Sequence, residues 1–310
     1  MILSVSRRTD IPAHYSKWFF RRIEEGYACT KNPMNPSQIS RISLLPENVD
    51  CIVFWSKNPA PMLARLSSLS EYLFYFQFTL NAYEKNVEPF LPSLAERIHT
   101  FQLLSEIAGK DCVIWRYDPI LFTAQYTADF HLQRFRFLAE SLKGFTKRCV
   151  ISFLDRYPKI ESQLSMLQVC DPSLKEKRAL VKKLAEIALS CGMNIYSCAE
   201  KTDLSGLPIR PSSCIDPALI SSLAEVPLKA AKDRNQRKEC GCCESVDIGV
   251  YNTCPNGCRY CYANYSMASV QNRARQFDPL SPLLCDHLKP GEIVRERNLP
   301  SLFEQQMRLF

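Results

Sequence analysis

Seven short runs rich in β-branched and aromatic residues, at 2–6, 51–55, 73–80, 112–117, 149–154, 194–199 and 247–252, read as strands. Between most of them the apolar spacing becomes helical. Leu94, Ile98, Phe101 and Leu104 fall on one stripe, and Leu180, Leu184, Ile187 and Cys191 on another. The chain has nine glycines, and four of them, Gly26, Gly109, Gly144 and Gly192, directly follow helical stretches, where a left-handed closing residue is wanted. Helix, glycine, strand is the beat of a βα repeat, and parallel neighbours need such a crossover. The expected fold class is α/β: a single parallel (βα) barrel over 1–276, TIM-like and complete or partial. A doubly wound open sheet has the same periodicity. The segment 204–238, broken by Gly206, Pro208, Pro211, Pro217 and Pro227, reads as irregular connection with one short helix near 218–224. Beyond Phe277, four prolines predict an extended tail, 277–310, packed on the barrel.

Nearly every predicted strand ends in polar or charged residues. Ser6, Arg7, Arg8, Thr9 and Asp10 follow the first, and Ser56, Lys57 and Asn58 the second. Thr79 and Asn81 end the third, Arg116 and Asp118 the fourth, Asp155 and Arg156 the fifth, and Glu200 the sixth. In a parallel barrel these ends open onto one face, so they converge on a single basin. Any one of them can instead serve a loop; Asp10, before Ile11 and Pro12, suits a helix N-cap. Trp55, Trp115 and Tyr117 read as packing residues.

Composition narrows the class. At 310 residues and 46% hydrophobic content a large core forms without staples. No apolar run reaches the length of a membrane span and no leader is expected, so a cytoplasmic protein is the reading. Fifteen scattered cysteines then favour reduced thiols and metal ligands over a disulfide framework. The net charge of +7 is modest, and the basic stretches at 175–183 and 229–238 read first as solvated helix faces. The four histidines, His14, His99, His131 and His287, form no ligand pair.

The chemistry sits in one loop. Cys254, Cys258 and Cys261 occur in Thr253-Cys-Pro-Asn-Gly-Cys-Arg-Tyr-Cys-Tyr262, with C-x3-C-x2-C spacing. Three thiolates from one tight turn can hold three corners of a cubane cluster and leave the fourth iron open; with one more thiolate they can hold zinc. The loop follows the last predicted strand and precedes a helix expected over 261–275, so it lies on the polar face. A second thiol set, Cys240, Cys242 and Cys243 with Cys198 and Cys214, can supply four ligands to another iron-sulfur cluster or a zinc site. Cys51, Cys112 and Cys149 open apolar strands, and Cys29, Cys170, Cys191 and Cys285 lack partners at ligand spacing.

The loop resembles that of the radical S-adenosylmethionine (SAM) superfamily, whose C-x3-C-x-aromatic-C motif lies on a strand-to-helix turn of a βα barrel; Tyr260 stands at the aromatic position. The resemblance implies a [4Fe-4S] cluster on Cys254, Cys258 and Cys261. SAM would chelate the open iron and Tyr260 would lie against the adenine. Reductive cleavage would then give a 5′-deoxyadenosyl radical that attacks an unknown substrate. It also implies an electron donor such as flavodoxin or ferredoxin. In that superfamily the motif follows the first strand, so here the barrel is permuted, with the cluster strand last and beside the first. A SAM-holding stretch then falls to Ser6, Arg7, Thr9 and Asp10. More widely, stretches 6–12, 54–59, 115–120 and 247–252 resemble an uncharacterised bacterial family of similar length with a C-terminal cysteine cluster.

The reading is a radical SAM enzyme whose substrate meets Arg8, Lys57, Arg116, Asp118, Asp155 and Glu200. Arg116 and Lys57 suit an anionic group, and Asp118 and Glu200 suit orientation or proton transfer. The alternatives are a metal-binding nucleic-acid protein, for which the basic stretches argue, and an iron-sulfur electron carrier. The first overlaps the main reading if the substrate is nucleic acid, as in DNA repair or RNA modification.

Overall fold

Continuous apolar strands, without alternation, belong to a sheet covered on both faces. In the computed structural model, which describes residues 1–32 and 35–304, the strands are β1 (Ile2–Val5), β2 (Tyr27–Asn32), β3 (Asn35–Ser43), β4 (Cys51–Ser56), β5 (Phe74–Thr79) and β6 (Val113–Ile120). They continue with β7 (Arg148–Phe153), β8 (Asn194–Cys198), β9 (Arg210–Ser212), β10 (Val246–Asp247) and β11 (Val294–Glu296). Eight of them make one sheet in the order β10-β1-β4-β5-β6-β7-β8-β9, parallel throughout. β10 lies beside β1, with Leu3 opposite Val246 and Ser4 opposite Asp247, so the last strand of the sheet neighbours the first. β9 and β10 form its two edges.

Each face of the sheet has its own core. Leu3, Phe54, Phe76, Trp115 and Ile151 pack against Phe101, Leu104, Phe135 and Leu184 from the connecting helices. Ile2, Val53, Tyr75, Ile114 and Val150 face the other way, onto Ile215, Cys240, Cys242 and Cys243. Burying a large apolar side chain on either face contributes roughly 1.5–3 kcal/mol. The helices Leu94–Ala108 and Leu174–Ser190 begin with capping boxes, Ser93 with Glu96 and Ser173 with Glu176, which satisfy amide groups that a helix start leaves free. Gly26 and Gly192 close helices at φ 73° and 77°, where a Cβ would be strained.

Several expectations need correction. The strand expected over 247–252 is only Val246–Asp247, because the Asp247 carboxylate turns back onto β1 and the chain leaves the ladder. The helix expected over 261–275 is Met267–Ala274. Residues before it turn instead, held by Tyr265 N–H to Asn252 Oδ1 (2.6 Å) and Asn264 Nδ2 to the Cys254 carbonyl (2.8 Å). An unexpected three-stranded sheet, β11-β3-β2, is built on a β2-β3 hairpin. β9 lies within the segment read as irregular, while the short helix there is Pro217–Ala224. The tail adds β11 to that small sheet and anchors Ser301 and Leu302 to Asp50 at 2.5 and 2.9 Å. Its residues 305–310 lie outside the described residues. Among the described residues no helix is long and apolar enough to cross a membrane.

One buried titratable group makes the fold pH-sensitive. His131 is fully buried, bonded to the Tyr117 hydroxyl (2.8 Å) and the Leu121 carbonyl (2.9 Å), and burial pushes its imidazole down to about 4. An unfolded chain takes up a proton near pH 6.5 that the folded chain refuses until about pH 4, so stability falls as pH falls through that window. Unfolding free energy is expected to drop by about 2 kcal/mol between pH 7 and pH 5 from this group. Urea titrations at the two pH values check it, and His131→Gln should flatten the slope.

Candidate functional site

Parallel strands gather their C-terminal ends, and here those ends line one cavity of about 320 Å3. Ser6 to Asp10 from the end of β1, Lys57 from β4, Thr79 from β5, Arg116 and Asp118 from β6 and Asp155 from β7 all border it. So do Cys254, Cys258, Tyr260 and Cys261 of the cysteine loop, together with Cys198, Cys214, Cys240 and Cys242. Residues as far apart in sequence as Ser6 and Ala263 thus share one space.

The cysteine loop is fastened from three directions. The carboxylate of Asp10 caps the helix Ile11–His14 through Ala13 N–H (3.0 Å) and accepts Lys57 N–H (2.8 Å) and Asn256 Nδ2 (3.1 Å), so both its oxygens are engaged. Asn256 Oδ1 meets His14 Nε2 at 2.7 Å. The Tyr15 hydroxyl donates to the Thr253 carbonyl (2.5 Å), and Arg259 N–H donates to the Val87 carbonyl (3.0 Å). Gly257 has φ 67° and lies so close to Phe90 that a Cβ there would come within 2.6 Å of its ring. Only glycine fits that turn.

Tyr260 sits above a buried charge network. Its hydroxyl donates to Glu88, and Lys57 Nζ lies 2.8 Å from both Glu88 Oε1 and the Tyr260 oxygen. Arg97 Nη1 approaches the second Glu88 oxygen at 3.5 Å. Burial disfavours the charge of Lys57, yet Glu88 and the nearby Cys258 hold its ammonium above the usual lysine range. Burial pushes all three loop thiols upward: Cys254 to about 12, helped by Asp10 and Cys261, and Cys258 well above its ordinary value, opposed by Lys57. The free loop therefore carries neutral thiols, which must shed protons to bind metal.

On the opposite wall Arg116 is fully committed. It pairs with Asp118, donates to Gln77 Oε1 (3.3 Å), and places Nη1 3.1 Å from Cys214 Sγ. Asp118 also accepts from Ser152, and its backbone is bracketed by the Asn81 amide at 2.9 and 3.0 Å. Cys198 Sγ and Cys214 Sγ lie 3.2 Å apart. Thiol bonds from Cys198 and Cys242 pull Cys214 well below its ordinary value, with Arg116 adding to the effect, and Cys242 draws Cys240 down to about 6.

Four expected residues are tied to other parts of the protein. Glu200 does not border the cavity; its oxygens accept Phe153 N–H (3.0 Å) and Thr202 N–H (2.8 Å). Asn81 likewise stays behind Asp118. Arg8 reaches the rim, where Nη1 donates to the Gly249 carbonyl (3.2 Å) and its guanidinium lies over Tyr251. Asp155 is bound to Arg237 and lies 3.6 Å from Lys201. Trp115 and Tyr117 are core residues, whereas Trp55 borders the cavity beneath Arg7.

Sequence reasoning missed Glu88, Asn256 and Asp247. Asp247 accepts Ser4 Oγ (2.6 Å), Ser6 Oγ (2.7 Å), Arg7 N–H (2.9 Å) and Gly249 N–H (2.9 Å), and so ties β10 to the end of β1. Its place as the first residue of a predicted strand was the available signal. Glu88 had none, since it lies in an aperiodic loop.

Among the described residues no three His, Cys, Asp or Glu side chains stand as a finished metal cage. The donor set nevertheless suits a cluster. Three thiols on a glycine turn border the cavity, and two polar atoms there, Arg7 Nη1 and Thr9 Oγ1, are buried without partners. Unsatisfied buried donors on a cavity wall are costly unless a ligand meets them. A family model described as a domain of unknown function, DUF1848, matches residues 2–263. No curated protein and no solved structure matches the chain.

Proposed function

This chain belongs to the DUF1848 family, and we propose that it is a radical SAM-type iron-sulfur enzyme working in the cavity at the C-terminal strand ends. The observation that carries the reading is the meeting of Cys254, Cys258, Tyr260 and Cys261 with the unpartnered Arg7 Nη1 and Thr9 Oγ1 around one space. When bound, a [4Fe-4S] cluster with SAM supplies one-electron reduction and a 5′-deoxyadenosyl radical. Cys254, Cys258 and Cys261 would hold the cluster. Arg7 Nη1 offers an unused N–H to a carboxylate, and Thr9 Oγ1 an unused hydroxyl to an amino group.

The chain's own residues prepare the space. Lys57 and Glu88 hold the Tyr260 hydroxyl, which fixes its ring beside the loop, and Asp10 with Asn256 holds the loop against β1. Asp118, kept in place by Arg116, Ser152 and Asn81, is poised to orient a substrate hydroxyl or amine. A partial, permuted barrel would account for the core in which Ile2 and Val53 share a cluster with Ile215, from beyond the opposite edge. An external donor such as flavodoxin or ferredoxin would deliver the electron, in a cytoplasmic setting.

The test is product formation. Protein reconstituted without oxygen, reduced with dithionite and given SAM is expected to release 5′-deoxyadenosine and methionine. A colourless protein that takes up only zinc at the Cys254 loop and leaves SAM intact overturns the reading.

A further inference from the structure

We propose that Cys198, Cys214, Cys240 and Cys242 form a second, four-thiolate metal site that clips together the two edges of the main sheet. It would take a thiophilic centre, zinc or an iron-sulfur cluster. The inference goes beyond the reading of the Cys254 loop and stands without it.

The thiols arrive from both sides of a seam. Cys198 ends β8 and Cys214 lies two residues beyond β9, at one edge; Cys240 and Cys242 precede β10, at the other. β9 and β10 do not pair, but the Cys243 N–H reaches the Ile215 carbonyl at 3.2 Å and brings the flanks together. There the Cys198 and Cys214 sulfurs approach to 3.2 Å, the Cys242 sulfur accepts the Ile215 N–H at 3.4 Å, and Cys240 borders the same cavity. The neighbouring Cys243 turns away, its thiol donating to the Ile215 carbonyl at 3.6 Å.

This is not how inert thiols pack. Cys51 and Cys149 are wholly buried among apolar side chains, as structural cysteines usually are. The four here border one cavity, where the Cys198 and Cys214 sulfurs touch and Cys214 receives Arg116 Nη1 at 3.1 Å. An N–H donated to sulfur stabilises a metal-bound thiolate in the way outer donors tune other metal sites. At 3.2 Å the Cys198 and Cys214 sulfurs share a thiol hydrogen bond. Binding a divalent cation replaces those thiol protons, which pass to solvent, and a change of side-chain rotamer opens the sulfurs around it. Ligands drawn from both edges then cross-link them through metal.

A protein with Cys254, Cys258 and Cys261 all changed to serine leaves this set whole. After anaerobic incubation with zinc chloride, or in a second arm with ferrous iron and sulfide, and after desalting, elemental analysis is expected to find one centre retained per chain. Adding Cys198→Ser and Cys214→Ser to that background should remove it and lower the melting temperature difference between loaded and apo protein to zero. Retention in one arm assigns the metal. Failure to retain either metal overturns the proposal even if the wild type makes 5′-deoxyadenosine; retention while the wild type makes none overturns the proposed function and leaves this site standing. Should the triple variant not fold, Cys258→Ser takes its place, and equal metal content with and without Cys214→Ser overturns the second site.

Discussion

Cys258→Ala protein, reconstituted with iron and sulfide in parallel with the wild type, is expected to yield no 5′-deoxyadenosine above the level of a protein-free control. Cys258 is the middle cysteine of the loop and borders the cavity, near Lys57 and Glu88. Two remaining thiolates cannot hold a cubane with one open iron. Because the loop is also fixed by Asp10, Asn256 and Tyr15, losing one sulfur should leave its backbone in place. Cys170→Ala, at an exposed thiol outside the cavity, should keep full product formation. Measuring product, iron and sulfide in the three proteins decides the matter. Undiminished product from Cys258→Ala would remove the cluster from the loop.

Glu88→Gln is expected to destabilise the protein by about 3–5 kcal/mol, the usual cost of removing one partner from a buried ionic network. The Glu88 side chain is 1% exposed and faces Lys57 at 2.8 Å and Arg97 at 3.5 Å, with side-chain exposures of 14% and 3%. Glutamine keeps the shape and loses the charge, so two cations remain with no buried counter-charge. The Tyr260 hydroxyl also loses its acceptor carboxylate. Denaturant midpoints of wild type and variant measure the loss. The double variant Glu88→Gln/Lys57→Met should recover part of it, because it removes one stranded cation. A loss below about 1 kcal/mol would mean that water reaches the network and screens it.

The strand runs were legible because a strand buried on both faces has to be apolar along its length, and six of the seven runs coincide with sheet strands within a few residues. The seventh failed at Asp247, whose side chain bonds to Ser4, Ser6 and Arg7 instead of leaving the strand free to continue. The β2-β3 hairpin was missed because its residues are mixed polar and apolar, as suits a small sheet with an open side. At the cavity, the polar strand ends and the cysteines announced themselves by type and spacing. Glu88 and Asn256 did not, since a polar side chain in an aperiodic loop looks the same in sequence whether it is solvated or buried among partners.

By itself, then, the sequence determined the local terms: which runs would be strands, where glycine would close helices, and which loop carried three thiols at ligand spacing. Those depend on neighbours within a few residues, where steric limits and periodicity act directly. Only the tertiary structure decided which distant groups meet. It brought β10 beside β1, gathered Cys198 and Cys214 around the same cavity as the thiols that precede β10, and left buried, unpartnered atoms on Arg7 and Thr9, which line that cavity. The physical reason is that such meetings follow from burying both faces of one long parallel sheet, a requirement of the whole chain that no short stretch records.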